Sequence, residues 1–555
     1  MRLSLRSILT LFIATATAAT VTAGAPTSAG ARIGTPEPAV AQAGQTTPVW
    51  GECPPAAPDG PSRDPRQRCA TLRVPLDYRA PRGRSIEIAI SRIGTARPGA
   101  RRGILLSNPG GPGDSGLDLP SRLAVVLSSE VLDRYDLIGF DPRGVGHSTP
   151  VTCGLDPTRL FTLRLPYPAP DGGIERNIAF ARDTAAACAE HSGDLLPFIT
   201  TANTARDMDR IRAALGEPRL SYFGLSYGTY LGAVYLSLFP GRGDRIVLDS
   251  AVDPGLVWRD MLRGWNQAVA TRLPDLLTFS AERDAVYHLG ATPEEVRRTY
   301  DRLIAALDRQ PLPIPGGPVF DGNALREGTR VGLYFDGFFP LIAELWQEIA
   351  AAVSGPTVNT ADPVDPAVLA RLNRLISATG AAGGAVGGGT AQTPADNRIA
   401  ALYAVFCDDA AWPRSVALHA RQVAADRRAW PATAGMPSNL WPCAAWRTRP
   451  VEPPVTVTGH GPRNVLILQN TRDPSTSLAS ARGLRAVLGR RAVMITVDQG
   501  GHGVAGLGSC ADEAMNSFLA TGALPGRDRF CPAPSPADAN TRSTPLPYIP
   551  SAGPL

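Results

Sequence analysis

Ser226 stands in Gly224-Leu225-Ser226-Tyr227-Gly228, a G-x-S-x-G pattern set directly after the apolar run Leu220 to Phe223 and directly before the helix-like run Tyr227 to Leu238. A serine on a strand-to-helix turn flanked by glycines is presented at the tip of a tight bend, where its hydroxyl is free to react. A hydroxyl is a poor nucleophile until a base takes its proton, so the chain has to supply a histidine. His502 fits: it lies in the glycine-rich loop Gln499-Gly500-Gly501-His502-Gly503, just past the strand-like run Ala492 to Val497. His191, His288 and His419 fall in helical or capping stretches, and His460 precedes a strand instead of following one. The acid that orients the base should lie between nucleophile and base in the chain, at a strand's carboxyl end. Asp473 in Thr471-Arg472-Asp473-Pro474 meets both conditions, and Asp249, at the end of the strand after the nucleophile helix, is the rival.

Acyl transfer also needs backbone donors for the oxyanion, one from the residue after the serine and one from an early strand-to-helix loop. The loop Asn108-Pro109-Gly110-Gly111-Pro112-Gly113-Asp114-Ser115-Gly116 supplies the second, so the amides of Gly111 and Tyr227 are the expected donors. Composition removes competing chemistries. The chain carries 55 basic residues against 50 acidic ones, net +5, and every basic residue is an arginine. Without lysine there is no Schiff base, no Ser-Lys dyad and no phosphate loop. The arginines are scattered among the acids, which gives no nucleic-acid footprint. No cofactor is implied, and no C-x-x-C pair suggests a metal.

The elements that must position these groups alternate. Apolar or β-branched runs recur at Ile104 to Ser107, Tyr135 to Phe140, Leu220 to Phe223, Arg245 to Leu248, Asn464 to Leu468 and Ala492 to Val497, with helix-like segments such as Thr204 to Leu215 between several of them. That is the pattern of a mostly parallel sheet covered by helices on both faces, with its site at the strands' carboxyl ends. From about Pro254 to Cys443 the alternation fails and long helical patterns appear at Pro293 to Leu307, Leu341 to Val353 and Pro366 to Ala378. This predicts a helical cap over residues 254–445, inserted between core segments 49–253 and 446–535. Within it the Gly/Ala run Thr379 to Gln392 is expected to be a flexible loop.

Arg2 and Arg6, the apolar run Ile8 to Thr22 and the small residues Ala23-Gly24-Ala25 read as a secretory signal over residues 1–25. A disordered lead-in over 26–48 is expected to follow, and a tail over 536–555 closes the chain. The apolar run is shorter than the roughly 20 residues of a membrane span, so no transmembrane helix is expected. In an exported chain eight cysteines read as disulfides. Their connectivity is not readable from sequence, but local pairing gives Cys53 with Cys69, Cys153 with Cys188, Cys407 with Cys443 and Cys510 with Cys531.

Taken jointly, GGPGDSG (110–116), DPRGVGHS (141–148), GLSYGTYLG (224–232), VLDSAVDP (247–254), CDD (407–409), RDP (472–474) and GGHG (500–503) resemble the proline iminopeptidase and tripeptidyl aminopeptidase branch of the α/β-hydrolases, especially secreted actinobacterial members. The resemblance runs from about residue 50 to residue 535. It implies an extracellular or wall-associated serine exopeptidase acting on peptides with free N-termini. Iminopeptidases usually carry a histidine where this chain has Pro109, which favours the tripeptidyl group. An exopeptidase must hold the substrate ammonium with a carboxylate, for which Asp409 or Asp408 is the candidate, unless these acids cap a helix or pair with an arginine. Tyr334, Phe335, Phe338, Phe339 and Trp346 are candidates for the acyl-side pocket, though core packing explains them equally well. Two alternatives stand: an esterase or amidase with the same triad, and a wall-associated binding protein without turnover.

Overall fold

The computed structural model describes residues 47–55, 62–156, 160, 164–313, 319–354 and 393–533. The expected signal, nearly all of the lead-in, the helix expected at Pro366 to Ala378, the Thr379 to Gln392 run and the tail lie outside the described residues.

The six runs read as strands become β3 (Gly103–Asn108), β4 (Tyr135–Phe140), β5 (Leu220–Leu225), β6 (Gly243–Asp249), β9 (Val465–Arg472) and β10 (Ala492–Gly500). To these the fold adds β1 (Arg68–Pro75), β2 (Ser85–Ile93), the edge strand β11 (Arg529–Cys531) and a separate two-residue ladder of β7 (Leu312–Pro313) with β8 (Val319–Phe320). The large sheet has the order β1-β2-β4-β3-β5-β6-β9-β10-β11. Its first strands, β1 with β2 and β2 with β4, pair antiparallel, and every later pair is parallel. Side chains alternate across the sheet, as the twofold repeat of a strand demands. Leu106, Tyr222, Ile246, Leu248 and Ile467 enter one core, while Leu105, Phe223, Val247, Leu466 and Ile495 enter the core on the other face.

Helices cover both faces: α1 (Leu119–Val126), α2 (Glu175–Ser192), α3 (Thr201–Ala214) and α4 (Tyr227–Leu238) before β6, then α11 (Leu478–Leu488) and α12 (Cys510–Thr521) after β9. Between β6 and β9 lie α5 (Trp265–Ala281), α6 (Pro293–Arg309), α7 (Gly322–Gly332), α8 (Phe339–Ser354), α9 (Asn397–Asp409) and α10 (Val416–Ala429). In α6 the buried residues Val296, Tyr300, Leu303, Ile304 and Leu307 form one stripe. It packs against Leu273, Leu276, Ile342 and Trp346 in a core separate from that of the sheet. The later half of the same segment behaves differently. Tyr403 and Phe406 of α9, with Trp441 and Trp446, are buried in the sheet's own core, so this stretch is built into the body of the fold while α5 to α8 form a layer of their own.

The eight cysteines pair locally as Cys53–Cys69, Cys153–Cys188, Cys407–Cys443 and Cys510–Cys531. With partners 16 to 36 positions apart in the chain, loop-closure entropy gives each bond about 3 to 4 kcal/mol of stabilisation. The denatured, unreduced protein should therefore titrate with no free thiol, and reduction should lower its thermal midpoint. Four or more titratable thiols would contradict the pairing.

Candidate active site

Ser226 sits between β5 and α4 with φ 54° and ψ −121°, a backbone conformation that L side chains rarely adopt. The flanking glycines permit it through close approach. A Cβ on Gly224 would lie 2.4 Å from the Gly228 carbonyl oxygen, and one on Gly228 would lie 2.9 Å from that of Asn108. The Ser226 amide donates to the Asp249 carbonyl at 3.0 Å, which ties the bend to the end of β6.

His502 follows β10 and is 8% exposed. Its Nδ1 lies 2.9 Å from Asp473 Oδ2 and 3.1 Å from Oδ1. Asp473 is itself fixed, accepting from the Ser475 amide at 2.8 Å, the Thr476 amide at 2.8 Å and the Thr476 hydroxyl at 3.0 Å. The loop around His502 is clamped from four sides. Asn470 Nδ2 donates to the carbonyls of Gly501 and Gly503 at 3.0 and 2.8 Å, and the Gly503 amide donates to Ser250 Oγ at 2.8 Å. The Val504 and Ala505 amides both donate to the Asp249 carboxylate at 2.9 Å. The His502 amide donates to the Tyr334 carbonyl at 2.8 Å, and the Tyr334 ring meets the imidazole edge-on with centroids 5.1 Å apart.

Asp249, the rival acid, thus faces the backbone just beyond His502 while Asp473 faces its ring. Burial pushes the Asp249 carboxyl up to about 6, against the lowering effect of the two amides. No local pattern reveals its actual partners, which lie 255 and 256 residues away.

The loop after β3 lies against Ser226. A Cβ on Gly110 would be 3.0 Å from Ser226 Cβ and 3.5 Å from the Tyr227 amide nitrogen. Tyr227 opens α4, so its amide has no intrahelical acceptor. Gly111 follows with φ 97°. The loop is pinned by Asp141, a fully buried carboxylate that accepts from the amides of Gly116 at 3.0 Å, Leu117 at 3.3 Å and His147 at 2.8 Å and from the Ser115 hydroxyl at 2.5 Å. The DPRGVGHS motif contains this residue, but its pinning role becomes visible only in three dimensions.

The remaining candidates are placed elsewhere. Asp409 accepts from the Thr201 amide at 2.7 Å and from Trp258 Nε1 at 3.2 Å, and Asp408 accepts from Trp446 Nε1 at 3.1 Å and the Thr448 hydroxyl at 2.8 Å. Both acids border a pocket with Thr200, Tyr230 and Glu452 whose lining includes none of Ser226, His502 or Gly111. Asp409 fixes the start of α3 and holds Trp258, and its partner Thr201 also meets the Tyr227 hydroxyl at 3.0 Å, while Asp408 holds Trp446 and Thr448. Among the aromatic candidates, Phe339 and Trp346 belong to the core of the helical layer, with Trp346 stacked on Tyr300 at 4.5 Å. Tyr334, Phe335 and Phe338 are half-buried, and Tyr334 abuts His502. Among the described residues no group of three metal-ligating side chains occurs, and no helix is long and apolar enough to cross a membrane.

The sheet order and the strand-end cluster are those of an α/β-hydrolase, and comparison with known proteins agrees. Residues 103–348 match the family model "alpha/beta hydrolase fold" and residues 431–531 match "TAP-like protein". Tripeptidyl aminopeptidase of Streptomyces coelicolor is 36% identical over 504 residues, covering 89% of this chain and 87% of the relative. Serine protease Hip1 of Mycobacterium tuberculosis is 29% identical over 557 residues, covering 96% and 100%. A Mycobacterium tuberculosis protein named carboxylesterase B is 32% identical over 482 residues, covering 84% and 86%. The chain belongs to the tripeptidyl aminopeptidase family of α/β-hydrolases and is a serine hydrolase.

Two predictions separate the acids. Asp473→Asn should lower kcat by roughly 10⁴ at nearly unchanged thermal midpoint, as the equivalent change does in serine proteases. Asp249→Asn, which presents an amide where two N–H groups donate, should lower both the midpoint and kcat. Measuring kcat and midpoint for the two variants distinguishes them, and full activity in Asp473→Asn would remove it from the site.

A third prediction follows from burial. Asp249 and Asp409 are raised to about 6 and Asp408 to about 7, in each case chiefly by desolvation. A carboxyl raised in the folded state stabilises the fold fully below its unfolded pKa, and that contribution is lost as pH rises through the folded value. The thermal midpoint should therefore fall between about pH 4 and pH 7, and fall less in Asp408→Asn. An unchanged slope in that variant would refute the assignment.

Proposed function

We propose that the protein is a secreted serine exopeptidase that removes short peptides, in the manner of a tripeptidyl aminopeptidase, from free N-termini. Ser226 attacks the scissile carbonyl, and His502 takes the hydroxyl proton and later delivers it to the leaving amine. Asp473 holds the imidazole in the tautomer that leaves Nε2 free to accept and stabilises the cation that forms. The amides of Gly111 and Tyr227 receive the oxyanion of the tetrahedral intermediates on either side of an acyl-enzyme. The observation that carries this reading is the Asp473–His502 contact at 2.9 Å on a loop tied through Asp249 to the Ser226 bend. Export is supported by the N-terminal pattern and by four disulfides. In the same reading α5 to α8 form the cap of the inserted segment 254–445, and Tyr334 borders the acyl-side pocket.

A second reading, esterase activity on non-peptide acyl groups, is favoured by the relative named carboxylesterase B. The two are separated by kcat/KM on tripeptide anilides with free and blocked N-termini and on short acyl esters. Free-amine peptides should be preferred. Equal rates on blocked peptides, or turnover of esters alone, would reject the exopeptidase reading. In either case Ser226→Ala should abolish turnover, by about 10⁴-fold to 10⁶-fold, without loss of fold. Retention of a tenth of the activity would remove Ser226 as nucleophile.

A further inference from the structure

Arg164 is only 7% exposed. Its backbone is fixed: the amide donates to the Leu160 carbonyl at 3.1 Å and the carbonyl accepts the Tyr403 hydroxyl at 3.0 Å. Its guanidinium is placed otherwise. Among the described residues its acidic neighbour is Glu327, with Nη2 and Oε1 4.0 Å apart, beyond hydrogen-bond reach. Glu327 is already engaged: Arg330 grips it with two bonds of 2.8 and 2.9 Å, and the Tyr167 hydroxyl donates to it at 3.1 Å. Burial, and after it the repulsion of Arg398 and Arg330, work against the attraction of Glu327 and hold Arg164 below the ordinary arginine range. A guanidinium this far buried with no acceptor within hydrogen-bond reach among the described residues is costly to keep, and the fold keeps this one near two others.

Its neighbours locate it relative to the catalytic groups. On one side, Arg398 pairs with Asp114, and Asp114 Cγ is 3.4 Å from where a Cβ on Gly111 would stand, in the proposed oxyanion loop. On the other side, Arg330 Nη1 lies 3.2 Å from the hydroxyl of Tyr334, whose ring abuts His502. Arg164 thus shares a charged cluster with Glu327, Arg330 and Arg398, whose own partners reach the loop of Gly111 on one side and the Tyr334 ring beside His502 on the other. The chemistry it lacks is a planar, two-oxygen acceptor, the partner that a guanidinium fork matches best.

We propose that Arg164 forms a carboxylate subsite of the substrate cleft, taking an acidic side chain or the free C-terminal carboxylate of a short peptide. The subsite rests on the peptidase reading above. It makes the enzyme selective for a charged peptide class, and it gives Arg330 and Arg398 a role as the positive surround of that subsite.

The test uses the full-length protein and substrate pairs that differ only in one carboxylate. One arm compares Glu with Gln at each position of a tripeptide aminomethylcoumarin series based on Ala-Ala-Ala. The other compares tetraalanine as free acid and as C-terminal amide. In one arm the carboxylate member should be favoured by about tenfold or more in kcat/KM, the scale of a charge-assisted contact to a buried group. Arg164→Gln should bring that ratio to about one, and Arg164→Lys should retain part of it. Because each ratio is taken within one variant, a general loss of active protein cancels. Ratios near one in both arms for the unmodified protein, or a ratio that Arg164→Gln leaves intact, would overturn the subsite while the peptidase reading stands. Cleavage of acyl esters with no peptide cleaved in either arm would instead reject the peptidase reading, and the subsite with it.

Discussion

The carboxyl end of β6 is the point on which the site depends. Asp249 is 1% exposed. Its carbonyl takes the amide of Ser226, and its carboxylate takes the amides of Val504 and Ala505 beyond His502. One residue thereby sets the relation between the bend that presents the hydroxyl and the loop that presents the imidazole. The cost is the burial of a charge, visible in a carboxyl raised to about 6. A neutral side chain of similar size could not accept two amides with both of its polar atoms, which is why an acid stands here although another acid orients the ring. Ser250, next in the chain, extends the same clamp by accepting the Gly503 amide.

The parallel sheet makes such a clamp available. Ser226, Asp473 and His502 leave the ends of β5, β9 and β10, and β6 lies between β5 and β9 in the sheet. Adjacent parallel strands end on the same side, so four separate loops converge without any loop crossing the core. Backbone approach then becomes the limiting constraint. The Gly110 position against Ser226, and those of Gly224 and Gly228 against their neighbours, have no room for a Cβ. The glycines of the two motifs therefore have a steric reason as well as a conformational one.

How much of this was legible in the sequence follows from the range of each interaction. The Ser226 bend and the loops of His502 and Asp473 announce themselves locally, because a strand, a glycine and a helix start lie within a few residues of the side chain. The strands β3 to β6, β9 and β10 were legible as apolar runs, whereas β1, which alternates buried and exposed residues, and β2, whose apolar residues are interrupted by Glu87, Ser91 and Arg92, escaped that reading. The particular partners of Asp249 and Asp141 were not legible, since each acts on residues distant in the chain. Asp408 and Asp409 show the converse: adjacency to a motif suggested a ligand, while burial against Thr201, Trp258 and Trp446 ties them to the interior.

The helical layer supplies a direct backbone partner to His502. The Tyr334 carbonyl holds the His502 amide, and Arg272 of α5 reaches the Leu333 carbonyl at 3.2 Å while also pairing with Asp275 and Asp336. Asp275 in turn pairs with Arg472 at 2.8 Å, the residue before Asp473. The turn between α7 and α8 is therefore moored to the strand ends that carry both the acid and the base. Swinging that turn outward would strip His502 of its backbone partner and Arg272 of the Leu333 carbonyl and Asp336, while the Asp275–Arg472 pair would stay in place.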